Sequence, residues 1–164
     1  MHTPDGLRDL HARTHRNLAD LIAHCRGLEA GALDRVLEGF GDGTVRLQIH
    51  HAITAERYWV GVIHGRVDVR EDQNDYPDPD ALESLRQEVF TFTDGYLAGV
   101  APDALNSARD MTTWGGKVRS LVPAQIVLRT ATHIYHHMGQ LAAMCRILGH
   151  PVLQGVNYPI STRR

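Results

Sequence analysis

The chain has 164 residues, of which 43% are hydrophobic and 22% are charged, and its formal net charge is -2 at pH 7. This length is enough to bury the core of one domain, so we expect a single domain over residues 1–164. The near-neutral charge argues against nucleic acid or an anionic membrane surface as the main partner. No apolar run approaches the roughly 20 residues of a membrane span and the first ten residues lack a signal-peptide core, so we expect a cytoplasmic protein.

A first helix is predicted from the start of the chain. Thr3 and Pro4 suit a helix cap and first turn, and apolar residues then recur at three- and four-residue steps as far as Leu28. Three histidines of this segment lie off the apolar stripe, among arginine and aspartate side chains. We therefore expect all three to face solvent: His11, His15 and His24.

A second helix is predicted from about Thr44 to His64, and counting around it separates an apolar face from a polar one. His51 shares the apolar face, so we expect it to point into the core, whereas we expect His50 to point outward. Glu56 lies five residues beyond His51 and faces elsewhere, so it should not share a metal ion with it. A core histidine is more often hydrogen-bonded than metal-bound, so this helix alone defines no site.

The middle of the chain begins with a charged stretch that is rich in aspartate and proline. This composition predicts a long exposed connection over residues 66–79. Asp78 and Pro79 then suit the start of a third helix, because aspartate caps a helix and proline fits its first turn. Apolar residues recur at helical steps from there until Pro102 ends the segment.

The segment 103–120 has the least decisive pattern in the chain. It is either a hairpin about Gly115 and Gly116 or a loop, because two adjacent glycines suit both. Trp114 precedes this pair, and it either packs in the core or forms the wall of a pocket. The sequence favours neither alternative.

The last long helix is predicted from Pro123 to just before Gly149. His133 and His137 are four residues apart on its apolar face, so both imidazoles can converge on one cation, whereas His136 faces outward. Gln140 lies one helical turn after His137. It either orients a metal-binding histidine through a hydrogen bond or is simply a half-exposed helix residue.

Together these segments predict an all-α fold, a four-helix bundle with long connections. His51 comes from one helix and His133 and His137 from another, and bundles commonly build metal sites from facing core positions. Three buried histidines without a metal ion would each need another partner for their ring nitrogens. Periodicity alone leaves a metal site and ordinary hydrogen bonding open.

Two motifs carry a resemblance to a known family. The segment HAITAERYW begins at His51 and HIYHHMGQ begins at His133. They resemble the histidine motifs of the DinB-like (YfiT-like) metalloenzyme family, and the ending GHPVLQGVNYPI is similar to its tail. The resemblance implies a four-helix bundle, a homodimer and one zinc or nickel ion held by three histidines. Carried over by motif, the ligands are His51, His133 and His137, which are also the positions selected by the face count.

The resemblance also favours one chemistry, since some relatives are similar to S-transferases that use bacillithiol, mycothiol or glutathione. It implies a transferase that activates a low-molecular-weight thiol at the metal. Two alternatives remain, a hydrolase using metal-bound hydroxide and a non-catalytic metal-binding protein of stress response. Cys25 and Cys145 lack CxxC partners and fall in predicted helices, so we expect free thiols, and the reacting thiol must belong to a small-molecule cosubstrate.

Overall fold

The computed structural model describes residues 1–67, 72–153 and 155–160. In this part of the chain four long helices form the fold: α1 (Pro4–Cys25), α2 (Val45–Ile63), α3 (Pro79–Gly99) and α5 (Pro123–Ile147). A short helix, α4 (Pro102–Asn106), and two strands, β1 (Arg109–Thr113) and β2 (Lys117–Leu121), lie between α3 and α5. The predicted all-α bundle is confirmed. Part of the predicted exposed connection, residues 68–71, and residue 154 of the tail lie outside the described residues.

Short polar side chains start the first three long helices, as the sequence predicts. The Thr3 hydroxyl accepts a hydrogen bond from the Gly6 amide, and the Thr44 hydroxyl accepts one from the Leu47 amide. The Asp78 carboxylate accepts from two amides in the first turn of α3. Each cap satisfies helix N–H groups that have no partner within the helix, which stabilises the helix by about 1 kcal/mol.

The four long helices pack in a closed ring, in which α2 contacts α5 and α3, and α1 contacts α3 and α5. Fully buried apolar side chains from every one of them meet in the centre, among them Leu18, Ile49, Leu85 and Met138. Burial of each such side chain contributes roughly 2 kcal/mol to folding. This core fixes α2 beside α5, and that pair of helices carries the predicted metal ligands.

The segment after α4 is a hairpin, which decides between the two sequence alternatives. Strands β1 and β2 are antiparallel, with Thr113 opposite Lys117. Gly115 and Gly116 connect them at φ values of 69° and 71°, a left-handed conformation that side chains with a Cβ disfavour. The Trp114 amide donates a hydrogen bond to the Tyr58 hydroxyl at 2.8 Å, so the turn is held against α2.

The prediction that the histidines of α1 face solvent is wrong for two of them. His11 is 3% exposed and His15 is 1% exposed. Because α1 packs against both α3 and α5, its buried surface is wider than its apolar stripe and includes polar positions. His24 is partly buried, and its Nε2 atom lies 3.0 Å from the carbonyl oxygen of His150.

Candidate metal centre

The three predicted ligands lie together between α2 and α5. His51, His133 and His137 each offer a ring nitrogen, and these three atoms lie within 4.8 Å of one another. The Nε2 atoms of His51 and His133 are 3.2 Å apart. Two nitrogens bound about 2.05 Å from a tetrahedral zinc ion would be about 3.3 Å apart, so this spacing suits shared coordination. The group fits a divalent ion by position and by ligand type.

The burial of neighbouring histidines on α2 is the reverse of the prediction. The His51 side chain is 45% exposed, whereas His50 is 9% exposed and packs near the ring of Tyr76. The face count treated the cavity side of α2 as core, but that side opens to solvent beside His133. His51 therefore meets the other two histidines at the edge of the bundle rather than inside it.

A hydrogen bond from a buried glutamine fixes the orientation of His137. The Nδ1 atom of His137 lies 2.5 Å from Oε1 of Gln48, a fully buried residue of α2. A carbonyl oxygen only accepts hydrogen bonds, so Nδ1 carries the proton and Nε2 keeps its lone pair for a metal ion. No motif indicates this role for Gln48, because the residue belongs to none of them.

A chain of amide contacts holds Gln48 in turn. The Nε2 atom of Gln48 donates to Oε1 of Gln140 at 2.7 Å, and Nε2 of Gln140 lies 2.9 Å from Nε2 of His136. Of the two alternatives for Gln140, the structure thus favours an orienting contact, but one that acts through Gln48. His136 is exposed, as predicted, and its ring also meets the ring of His137 edge-on, with the centroids 5.2 Å apart.

The two candidate ligands on α5 are neutral around pH 7. Burial lowers the pKa of His133 to about 4, and the electrostatic influence of the neighbouring His51 and Arg129 side chains lowers it further. Burial likewise lowers the pKa of His137 to about 4, with His133 as the next cause. Neutral imidazoles keep their lone pairs, so little proton competition opposes metal binding at neutral pH.

A cavity of about 750 Å³ opens beside the histidines, within the size range of small-molecule sites. His51 and His133 line it, together with side chains of the β1–β2 hairpin. Trp114 is one of these, and with 69% of its surface exposed it is a pocket wall and not part of the core. A molecule in this cavity could therefore contact an ion bound by the three histidines.

A second group with metal-binding residue types lies inside the bundle. His11, His15 and Glu56 offer three ligand atoms within 4.8 Å of one another, and all three side chains are buried. The Nε2 atoms of both histidines are 2.9 Å from the two carboxylate oxygens of Glu56, and the Thr93 hydroxyl donates to Oε1 at 2.6 Å. The four-residue spacing of His11 and His15 was a visible sign of this pair.

The contacts of His15 distinguish this group from the first. Nη1 of Arg86 lies 3.3 Å from Nδ1 of His15, and an arginine only donates hydrogen bonds. Nδ1 must then be the acceptor, so the proton is on Nε2 and points at Glu56. Burial lowers the pKa of His15, which keeps the ring neutral. Both ring nitrogens of His15 are therefore engaged in hydrogen bonds, and its Nε2 has no lone pair to give a metal ion.

Comparison with known proteins agrees with the motifs. The profile of the DinB family matches residues 11–162, which is nearly the whole chain. No curated protein matches the chain. Within the described ranges no helix is both long and apolar enough to cross a bilayer. The chain belongs to the DinB family.

Proposed function

We propose that this member of the DinB family binds one zinc or nickel ion through His51, His133 and His137, and activates a low-molecular-weight thiol for transfer to an electrophile. The convergence of three histidine nitrogens beside an open cavity carries the proposal. Three neutral ligands leave the ion its full positive charge and an open position, as in catalytic sites. When bound, such an ion lowers the pKa of a thiol and favours the nucleophilic thiolate.

The residues around the ion have separate tasks in this proposal. Gln48 keeps the proton of His137 on Nδ1 and so presents Nε2 to the ion. The hairpin, held to Tyr58 through the Trp114 amide, covers one side of the cavity and limits access of water to the nucleophile. In this proposal α2, α5 and the hairpin would hold the reactants in place.

The reacting thiol belongs to a small molecule, because both cysteines of the chain are inaccessible. Cys25 is 2% exposed and Cys145 is fully buried, and both are part of the central apolar core. The hydrogen bond with Cys145, together with burial, raises the pKa of the Cys25 thiol. A buried, protonated thiol is an inert packing group.

The test compares thiol consumption by the zinc-loaded, nickel-loaded and chelator-treated protein, with 1-chloro-2,4-dinitrobenzene as electrophile and glutathione, N-acetylcysteine and cysteine as thiols. We expect metal-dependent consumption that is lost in His51→Gln and kept in the matched neighbour variant His50→Gln. Hydrolysis of p-nitrophenyl esters without thiol consumption would favour a hydrolase. Metal binding without either reaction would favour a non-catalytic metal-binding protein. The homodimer and the cytoplasmic location stay predictions, and sedimentation tests the first of them.

A further inference from the structure

We infer that the molecule entering the cavity beside the three histidines is an organic anion, and that Arg119 and Arg129 bind its carboxylate or phosphate group. The inference deepens the proposed function by giving the substrate a charge class. The inference rests on the proposed function in one respect only, namely that the other end of the ligand reaches the metal ion. The contact with the anion stands on the lining of the cavity itself.

The charged residues that line the cavity all have the same sign. Lys117, Arg119 and Arg129 are basic, and no aspartate or glutamate is among the described residues that line it. The chain as a whole has more acidic than basic residues, 19 against 17, so this lining departs from the average surface. A concave surface with one sign of charge raises the local concentration of ligands of the opposite sign.

These three cations have no carboxylate partner within the part of the chain that the structure describes. Six arginines elsewhere in the molecule do pair with a carboxylate: Arg8, Arg13, Arg26, Arg46, Arg57 and Arg86. Asp42 lies outside the lining of the cavity, and its Oδ2 atom is 3.6 Å from Nδ1 of His51. An incoming anion would therefore meet cations that no protein carboxylate already neutralises.

The fold places the cations opposite and beside the histidines. Arg129 lies four residues before His133 on α5, so both side chains leave the helix on one face. Its guanidinium lies over the Trp59 ring at 5.3 Å from the centroid, and this stacking restricts its position. Lys117 and Arg119 are two residues apart on β2 and so share one face of the hairpin.

The remaining lining indicates an organic anion instead of an inorganic one. Tyr58, Trp59 and Trp114 give the cavity flat apolar walls, and its volume of about 750 Å³ far exceeds that of a phosphate ion. Guanidinium groups bind carboxylate and phosphate in the same bidentate manner. The ligand should therefore have an anionic group at the arginines, an apolar or planar part at the aromatic rings, and a reactive end at the histidines.

Two matched sets of probes test the inference on the zinc-loaded full chain by titration calorimetry and tryptophan fluorescence. The thiol set is N-acetylcysteine and its neutral amide. The set without a thiol is phenylacetate, phenyl phosphate and neutral phenylacetamide. We expect each anion to bind about tenfold or more tightly than its neutral counterpart, because charge-assisted hydrogen bonds are about twice as strong as neutral ones. The preference should weaken at high salt, since both arginines are exposed.

Substitutions test whether Arg119 and Arg129 cause the preference for anionic probes. The double variant Arg119→Gln and Arg129→Gln should bind acid and amide equally, whereas Arg146→Gln, an exposed arginine farther along α5, should keep the preference. Far-UV circular dichroism checks that each variant is folded. Equal affinities in the natural protein, including no binding of any probe at millimolar concentration, overturn the inference. So does a preference that survives in the double variant.

The two sets separate failure of the inference from failure of the proposed function. Arginine-dependent binding of phenylacetate or phenyl phosphate, without zinc-dependent binding of either thiol, supports the anion site and contradicts the thiol chemistry. Zinc-dependent binding of N-acetylcysteine and its amide with equal affinity supports the thiol chemistry and overturns the anion site. A preference for phenyl phosphate over phenylacetate, or the reverse, identifies which anionic group fits the arginines.

The chain also supplies a local reporter, because Lys117 is its only lysine. Reductive methylation with ¹³C-formaldehyde labels this amine and the chain terminus while keeping the positive charge. We expect phenylacetate to shift the Lys117 methyl resonance, and phenylacetamide at the same concentration to leave it in place. Identical responses to both probes would place the anion away from this wall and count against the inference.

Discussion

The Nδ1 atom of His137 lies 2.5 Å from Oε1 of Gln48, and this contact decides which nitrogen of His137 faces the other two histidines. Gln48 in turn donates to Gln140 at 2.7 Å, so its amide cannot rotate without breaking a second hydrogen bond. The proton position on a candidate metal ligand is thus fixed by a side chain that is not itself one of the three candidate ligands.

Replacing Gln48 with Leu should weaken metal binding by about 10- to 100-fold, because His137 would lose the acceptor that keeps its proton on Nδ1. Gln140→Leu should have a smaller effect, since it removes only the contact that orients the Gln48 amide. Competition of the purified variants against a chelating dye for zinc measures both affinities. Equal affinity in Gln48→Leu and the natural protein would contradict the orienting role.

Adjacent histidines on α2 should differ sharply in what their loss does. His51→Gln should release the metal ion with little change in stability, because the side chain is 45% exposed. His50→Gln should keep the ion and lower the free energy of unfolding by about 1 kcal/mol, because that side chain is 9% exposed. Metal analysis measures the bound ion in each variant, and urea unfolding measures its free energy of unfolding. Loss of the ion in His50→Gln alone would reverse the assignment.

The parts of the fold that depend on neighbouring residues in the sequence, such as the starts of helices, could be predicted. Thr3, Thr44 and Asp78 cap helices that start where the sequence places them, because caps depend only on nearby residues. The glycine pair at 115–116 left a hairpin and a loop open. The choice depended on a contact across the chain, the hydrogen bond from the Trp114 amide to Tyr58.

The grouping of the three histidines could be predicted from the sequence, but the surroundings of the group could not. Helical spacing and family motifs select His51, His133 and His137, and the structure brings these three together. Gln48 was missed because its role requires α2 and α5 to be in register, which spacing within one helix does not show. His11 was misassigned for a related reason, since a polar residue off the apolar stripe is buried when two helices flank it.

The metal-free protein should lose stability as the pH falls from about 7 to about 4. The pKa values of His133 and His137 are near 4 in the folded state, against an ordinary value of 6.5. As the pH falls, these two side chains therefore bind protons at a higher pH in the unfolded chain than in the folded protein. Wherever the unfolded state binds more protons, stability rises with pH and falls as acid is added. In the presence of a chelator, the melting temperature of the double variant His133→Gln and His137→Gln should depend less on pH than that of the natural protein. Parallel curves would contradict the shifted pKa values.

Replacing both cysteines should leave the chemistry intact. The variant Cys25→Ala and Cys145→Ala is expected to keep its metal ion and any transferase activity, because both thiols lie in the apolar core. A loss of about 1 kcal/mol of stability per site is expected from the removed packing. Thiol consumption per bound metal ion is the measurement. Lost activity in a folded, metal-loaded variant would make a protein cysteine the nucleophile.

Glu56 should matter for stability and not for metal binding. Burial alone would raise its pKa, but the electrostatic interaction with the His15 ring and the hydrogen bonds from His11 and His15 outweigh burial and hold the pKa below the usual range. The carboxylate thus contributes stability above pH 4.5, its ordinary value, that is lost on further acidification. In Glu56→Gln an amide N–H₂ would face a histidine N–H, so we expect about 3 kcal/mol of destabilisation.

Two comparisons make the Glu56 prediction decisive. Glu88→Gln, at a carboxylate whose side chain is 67% exposed, should change stability by about 0.5 kcal/mol or less. Thr93→Val removes the 2.6 Å hydrogen bond to Glu56 without changing side-chain volume, so it gives a milder version of the same loss if Glu56→Gln does not fold. Both Glu56→Gln and Thr93→Val should hold one metal ion per chain. Two ions in the natural protein, with one lost in Glu56→Gln, would instead make His11, His15 and Glu56 a second metal site.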